Sequence, residues 1–146
     1  MLIHINYDFI GWNEYINAER ANRFKASKIK RDEKELVMYT VKERYTGSYP
    51  VTLIIRPHYQ HKRRDLDNFR MKGLIDGLVG AGVIENDNLT KIDKIILEPI
   101  FDNETGVDIQ IEPTKRISVN LERRKTKEYL ERREHGKEIL LDKTKD

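Results

Sequence analysis

The chain has 146 residues, enough for one compact domain and little more. It is 38% hydrophobic and 36% charged, which excludes a chain made mostly of bilayer-spanning segments and suits a small core under a large charged surface. There is no cysteine, so disulfides, thiolate metal sites and a cysteine nucleophile are excluded.

The net charge of +3 is unevenly spread. Residues 1–64 carry 13 Lys and Arg against 7 Asp and Glu, residues 65–112 carry 4 against 11, and residues 113–146 carry 11 against 7. Basic segments attract phosphates, and an acidic centre can hold the cations that act on one of them. The opening MLIHINYDFI is too short to span a membrane and has no basic flank, so a cytoplasmic protein is expected.

In chain order, residues 2–9 predict a short strand. Residues 13–44 are rich in helix formers, with a break expected at 27–31 and Asp32 and Glu35 placed as a capping pair for a second helix. Leu36, Val37, Met38 and Val41 would form that helix's buried stripe. Gly47-Ser48-Tyr49-Pro50 is a turn, and residues 51–56 (VTLIIR) form a short core strand. Residues 58–64 (HYQHKRR) are expected as an exposed basic loop. Asp67 or Asn68 caps the next helix, whose inner side carries Met71, Leu74, Ile75, Leu78 and Val79 and which ends at Gly80-Ala81-Gly82. Residues 85–88 make a polar turn, 92–100 a strand and 102–106 a hairpin-like turn. Val107, Ile109 and Ile111 then alternate in a final strand. Residues 121–140 predict a charged helix. The expected fold class is α+β: a single small domain over 1–114, with a mixed or antiparallel sheet packed with helices, and a charged helical C-terminal tail over 115–146.

Candidate chemistry lies in Arg64-Asp65-Leu66-Asp67-Asn68 and in Asp87. Side chains two apart on an extended segment share a face, so Asp65 and Asp67 could meet one cation, with Asp87 as a third ligand. Hard carboxylate oxygens suit Mg²⁺ or Mn²⁺. Such an ion can polarise a phosphodiester, and Lys72, four residues before Asp76, could steady the developing charge. Taken alone, Asp-x-Asp-Asn before a helix also reads as an Asx turn and N-cap. His58 and His61 could bind metal or phosphate, and Tyr59 could stack on a base or cover the sheet edge.

Together these residues resemble a family. Arg63-Arg64-Asp65-Leu66-Asp67-Asn68, then Lys72-Gly-Leu-Ile-Asp76-Gly-Leu78, then Gly82-Val83-Ile84-Glu-Asn-Asp87 are similar to the core of RusA-type Holliday junction resolvases. The resemblance implies that Asp65, Asp67 and Asp87 are metal-binding carboxylates and that Lys72 is the catalytic lysine. It also implies a homodimer that nicks four-way DNA junctions symmetrically with Mg²⁺ or Mn²⁺. The Asp-Asn to Lys spacing is one residue longer than in the family's best-known form. Either the helix begins one residue later or Arg70 takes the duty of the lysine. Asn86-Asp87 stands where the family has an Asp pair, and residues 115–146 match nothing in its core.

DNA contacts are expected from Arg56, Lys62, Arg63, Arg64 and Arg70, with a further basic stretch from Arg20 to Arg31. Three other readings fit the same residues. One is a nuclease acting on flaps or forks, another a DNA-binding protein whose aspartates only cap a helix, and the third a structural protein whose tail binds a partner.

Overall fold

The computed structural model describes residues 1–115 together with Leu130 and Glu131. Most of the expected tail helix therefore lies outside the described residues. Residues 1–114 form one compact unit. Its elements are β1 (Leu2–Ile5), α1 (Trp12–Ala21), α2 (Arg23–Thr40), β2 (Val51–Tyr59), a 3-10 turn (Leu66–Asn68), α3 (Lys72–Gly80), β3 (Ile92–Leu97), β4 (Ile100–Phe101) and β5 (Val107–Pro113). The fold is α+β with a mixed sheet. The main path runs β1-β5-β2-β3, and β4 pairs the end of β2. β2 and β3 are parallel, so the chain must cross between them, and α3 makes that crossover. β5 lies antiparallel to both β1 and β2. Among the described residues no helix is long and apolar enough to cross a membrane.

One sheet face carries the core. Ile3 and Ile5 of β1, Leu53 and Ile55 of β2, and Val107, Ile109 and Ile111 of β5 cluster with Val37 of α2 and Leu74 and Leu78 of α3. Each such side chain, once buried, contributes roughly 1.5–3 kcal/mol. The alternation expected for residues 107–111 is present.

Several boundaries differ from expectation. β1 stops at Ile5 rather than at residue 9. The helical stretch breaks at Asn22, not at 27–31. Asn22 is extended and its side chain accepts the Phe24 N–H at 2.9 Å, which caps α2. Asp32 instead forms an ion pair with Lys28 one turn earlier. The buried stripe of α2 is Ala26, Glu33 and Val37, with Leu36 and Met38 only half-buried. The strand expected at 92–100 is split, because Pro99 has no N–H to offer a ladder. β2 continues through Pro57 to Tyr59, three residues past its expected end.

Glycines set the approach of α2 and α3. A Cβ at Gly73 would strike Glu33, and one at Gly77 would strike the branched Cβ of Val37. Gly80 faces only the flexible ends of Met38 and Lys34.

At the head of α3 an arginine lies inside. Arg70 and Glu33 are fully buried and form an ion pair, and the Arg70 guanidinium also sits 4.5 Å from the centre of the Tyr15 ring. Burial pushes the Glu33 carboxyl up from its ordinary range, and the Arg70 charge pulls it back. Arg70 is thus removed from the expected DNA contacts and from the role of a free catalytic cation. It has no exposed surface, and its charge is spent on Glu33.

Arg70→Met should lower stability by about 3–5 kcal/mol in urea unfolding, because it leaves Glu33 buried without a counter-charge. Pairing it with Glu33→Leu should restore most of that loss. Gly77→Ala should also destabilise. Overpacking costs about 1–3 kcal/mol and outweighs a helix-propensity gain of about 1 kcal/mol. Gly80→Ala should be close to neutral, since its neighbours can move aside.

Candidate active site

The segment between β2 and α3 carries most of the candidate residues. Lys62, Arg63 and Arg64 are exposed. Arg64 lies 5.2 Å from the centre of the Tyr59 ring and reaches Asp8 at 3.3 and 3.4 Å. The Lys62 ammonium stands 5.3 Å from the centre of the exposed Phe101 ring. Arg63 and Arg64 border a cavity of about 330 Å³ that Asp8, His58 and His61 also line. Arg56 is more committed. It donates to Glu98 at 3.0 Å and to Gln110 at 2.9 Å, and only a quarter of its side chain is exposed.

Asp65 and Asp67 are not on an extended segment as expected. Asp65 precedes the 3-10 turn, whose first bond runs from the Asn68 N–H to the Asp65 carbonyl at 3.1 Å, and Asp67 lies within it. Both carboxylates still border one cleft with Trp12, Asn13 and Asn68. Neither Asp67 nor Asn68 caps α3, whose N-cap is Met71 with no side-chain bond. Asn68 serves α1 instead: its side-chain oxygen accepts the Asn13 N–H at 2.9 Å. The N-cap of α1 is Gly11, which has no side chain to offer. An orphan donor of that helix is therefore satisfied from the loop. A Cβ at Gly11 would collide with the Asn68 side chain, so the fit is close. This contact pins the carboxylate loop to the start of α1.

Among the described residues, no side-chain hydrogen bond or ion pair engages the Asp65 or Asp67 carboxylate, and both residues are exposed. Two unneutralised, hard oxygen donors at one 3-10 turn fit Mg²⁺ or Mn²⁺ by chemistry.

Lys72 opens α3. Its ammonium lies 2.7 Å from Asp76 and 3.4 Å from Asp87. The hydrogen bond to Asp76 is the main cause that raises its pKa. Partial burial opposes the shift, and the bond to Asp87 and both negative charges add to it. Lys72 is therefore held as a cation. The helix begins at Lys72 itself, after the three non-helical residues 69–71. Asp87 sits in a turn built by side chains. Asn86 accepts the Asn88 N–H at 3.0 Å, and Asn88 accepts the Thr90 N–H at 3.0 Å.

The structure thus joins Lys72, Asp76 and Asp87 at one place and puts Asp65 and Asp67 at another, beside Trp12. It does not gather Asp65, Asp67 and Asp87 within mutual ligand distance. Among the described residues, two trios have ligand atoms all within 4.8 Å of one another. They are His4, His58 and Asp108, and His58, Asp102 and Glu104.

Those trios were missed from the sequence. His58 was expected in the exposed loop, but it lies in β2 and is buried, because its N–H continues the ladder to the Gly106 carbonyl. Its Nδ1 lies 2.8 Å from Asp102 and its Nε2 lies 3.3 Å from Asp108, which also meets His4 at 2.7 Å. Burial works against the His58 imidazolium, but the hydrogen bond to Asp102, the close approach of Asp108 and both negative charges outweigh it and raise the pKa. Burial likewise pushes Asp108 up, yet its hydrogen bond to His4 and the nearby His58 ring hold it below the usual range. The available signal was weak. His4 and Asp108 each alternate with buried apolar neighbours, which places them on the polar face but does not pair them.

Residues 16–112, well over half of the chain, match the family described as endodeoxyribonuclease RusA. No curated protein matches the chain. The matched span runs from within α1 to residue 112, inside β5, and includes the carboxylate loop, Lys72 and Asp87. The chain belongs to the RusA endodeoxyribonuclease family.

Proposed function

We propose that this endonuclease resolves four-way DNA junctions by paired symmetric nicks, as a divalent-metal-dependent homodimer working in the cytoplasm. Residues 1–114 would be the nuclease domain and 115–146 a charged extension. The observation that carries this reading is the Lys72 bridge. The cation that opens α3 reaches Asp76 at 2.7 Å and Asp87 at 3.4 Å, so two separate parts of the family motif converge in space.

In this proposal Asp65 and Asp67 hold Mg²⁺, or Mn²⁺ in its place, and Asp87, which the structure leaves beyond ligand distance of that pair, is drawn in as the third ligand when the ion binds. When bound, the ion polarises the scissile phosphodiester and offsets charge on the leaving oxygen. Lys72, held protonated, supplies a fixed positive charge where negative charge develops. Lys62, Arg63 and Arg64 hold the flanking phosphates without reading sequence. Arg56 can lend its charge only from within its ties to Glu98 and Gln110. A two-fold dimer would present two such sites to a nearly two-fold junction.

The test is cleavage of a labelled four-way junction, with linear duplex and flap controls, in Mg²⁺, Mn²⁺ and chelator. Paired symmetric nicks on the junction alone, lost in chelator, are expected. Cutting of flaps but not junctions would move the reading to another structure-selective nuclease. Binding without cutting would leave the aspartates as turn formers. Asp67→Asn should abolish cleavage while keeping or tightening junction binding, because one negative charge near phosphate is gone. Lys72→Ala should lower turnover by about 100- to 1,000-fold with little change in binding.

A further inference from the structure

We propose that His4, His58 and Asp108 form a second metal site, separate from the Asp65–Asp67–Asp87 set, which takes a transition-metal ion of the zinc class. The three residues come from three adjacent strands. His4 of β1 stands directly opposite Asp108 of β5, and His58 of β2 follows the Pro57 pairing with Val107. All three lie on the sheet face away from the core, and their ligand atoms are within 4.8 Å of one another.

The second observation is a buried polar atom with no hydrogen-bond partner. The His58 side chain is only 4% exposed, and its Nε2 makes no hydrogen bond although a carboxylate oxygen of Asp108 is 3.3 Å away. The other ring nitrogen faces Asp102 at 2.8 Å. A carboxylate cannot donate, so Nδ1 carries the proton in that bond. That tautomer leaves the Nε2 lone pair facing Asp108, whose oxygens also only accept. Two acceptors directed at each other are reconciled by a cation between them, either a second proton on the ring or, in its place, a metal ion. The arrangement is that of a ligating histidine whose far nitrogen is oriented by a carboxylate.

The donor set selects the ion. Two imidazole nitrogens and one carboxylate suit zinc and its neighbours, whereas Mg²⁺ and Ca²⁺ prefer oxygen alone. The backbone is shaped for the approach. Gly106 has φ +134°, and a Cβ there would strike the Ile5 carbonyl and crowd the His4 ring at 3.1 Å. Glycine lets β1 come close enough to bring His4 over Asp108. His4 is 45% exposed, so an ion can reach the site from solvent.

The experiment uses the full chain, stripped with chelator and dialysed. Zn²⁺ is titrated by calorimetry, Co²⁺ by its visible ligand-field bands, and thermal unfolding is followed with and without Zn²⁺. One equivalent per chain is expected, bound equally by the wild type and by Asp67→Asn, with a higher unfolding temperature when Zn²⁺ is present. His4→Ala and Asp108→Asn should lose the binding, the Co²⁺ bands and the thermal shift. Asp102→Asn should weaken affinity by about 10- to 100-fold. His4 is exposed enough that its variant should fold even if Asp108→Asn does not, and circular dichroism checks this. Absence of saturable Zn²⁺ binding would overturn the proposal. So would binding that survives His4→Ala but disappears in Asp67→Asn.

Discussion

The buried Glu33–Arg70 ion pair fixes the part of the molecule on which the candidate site depends. It joins α2 to the segment entering α3 and, through the Tyr15 ring, to α1. An apolar pair of the same volume would give comparable stability. What an arginine–carboxylate contact adds is direction, because the planar guanidinium accepts a narrow range of geometries. The chain must therefore dive inward at Phe69 and Arg70 and surface again at Lys72. That detour separates the carboxylate turn from the lysine and holds both outward.

The contacts around it reinforce the same placement. Gly73 and Gly77 let α3 lie close on α2, so the apolar side of α3 faces inward while Lys72 and Asp76 remain accessible. Asn68 ties the carboxylate turn to the first turn of α1. The sheet beneath has two unlike faces. One is continuous hydrocarbon. The other carries a polar ladder in which Thr52 meets Thr114, Arg56 meets Gln110, and His58 meets Asp108. Arg56 and His58 belong to this second face, and that explains why neither behaves as a free loop cation.

Much of the fold was legible because it rests on local patterns. The alternation of Val107, Ile109 and Ile111 and the helical spacing of Leu74, Ile75 and Leu78 marked β5 and α3 correctly. The family motif was legible as an ordered string of residue types. What could not be read depended on partners distant in sequence. Arg70 looked like a surface cation because its partner, Glu33, is 37 residues earlier. Asn68 looked like a cap for the helix that follows, whereas its acceptor serves a helix that precedes it by 55 residues. The His4–Asp108 pairing needed the register of β1 on β5. The break at Asn22 was open to local reasoning, since asparagine is a preferred cap, but Asp32 and Glu35 at capping spacing placed the boundary too far along.

The cleft beside Asp65 and Asp67 has one further property. Trp12, which helps line it, is the single tryptophan in the chain and is 42% exposed. An indole half in water responds to any change of polarity or charge at its surface. Tryptophan emission from this protein thus originates wholly at the edge of the carboxylate loop. The molecule carries its own optical reporter there, at the first residue of α1 and in ring contact with Tyr15.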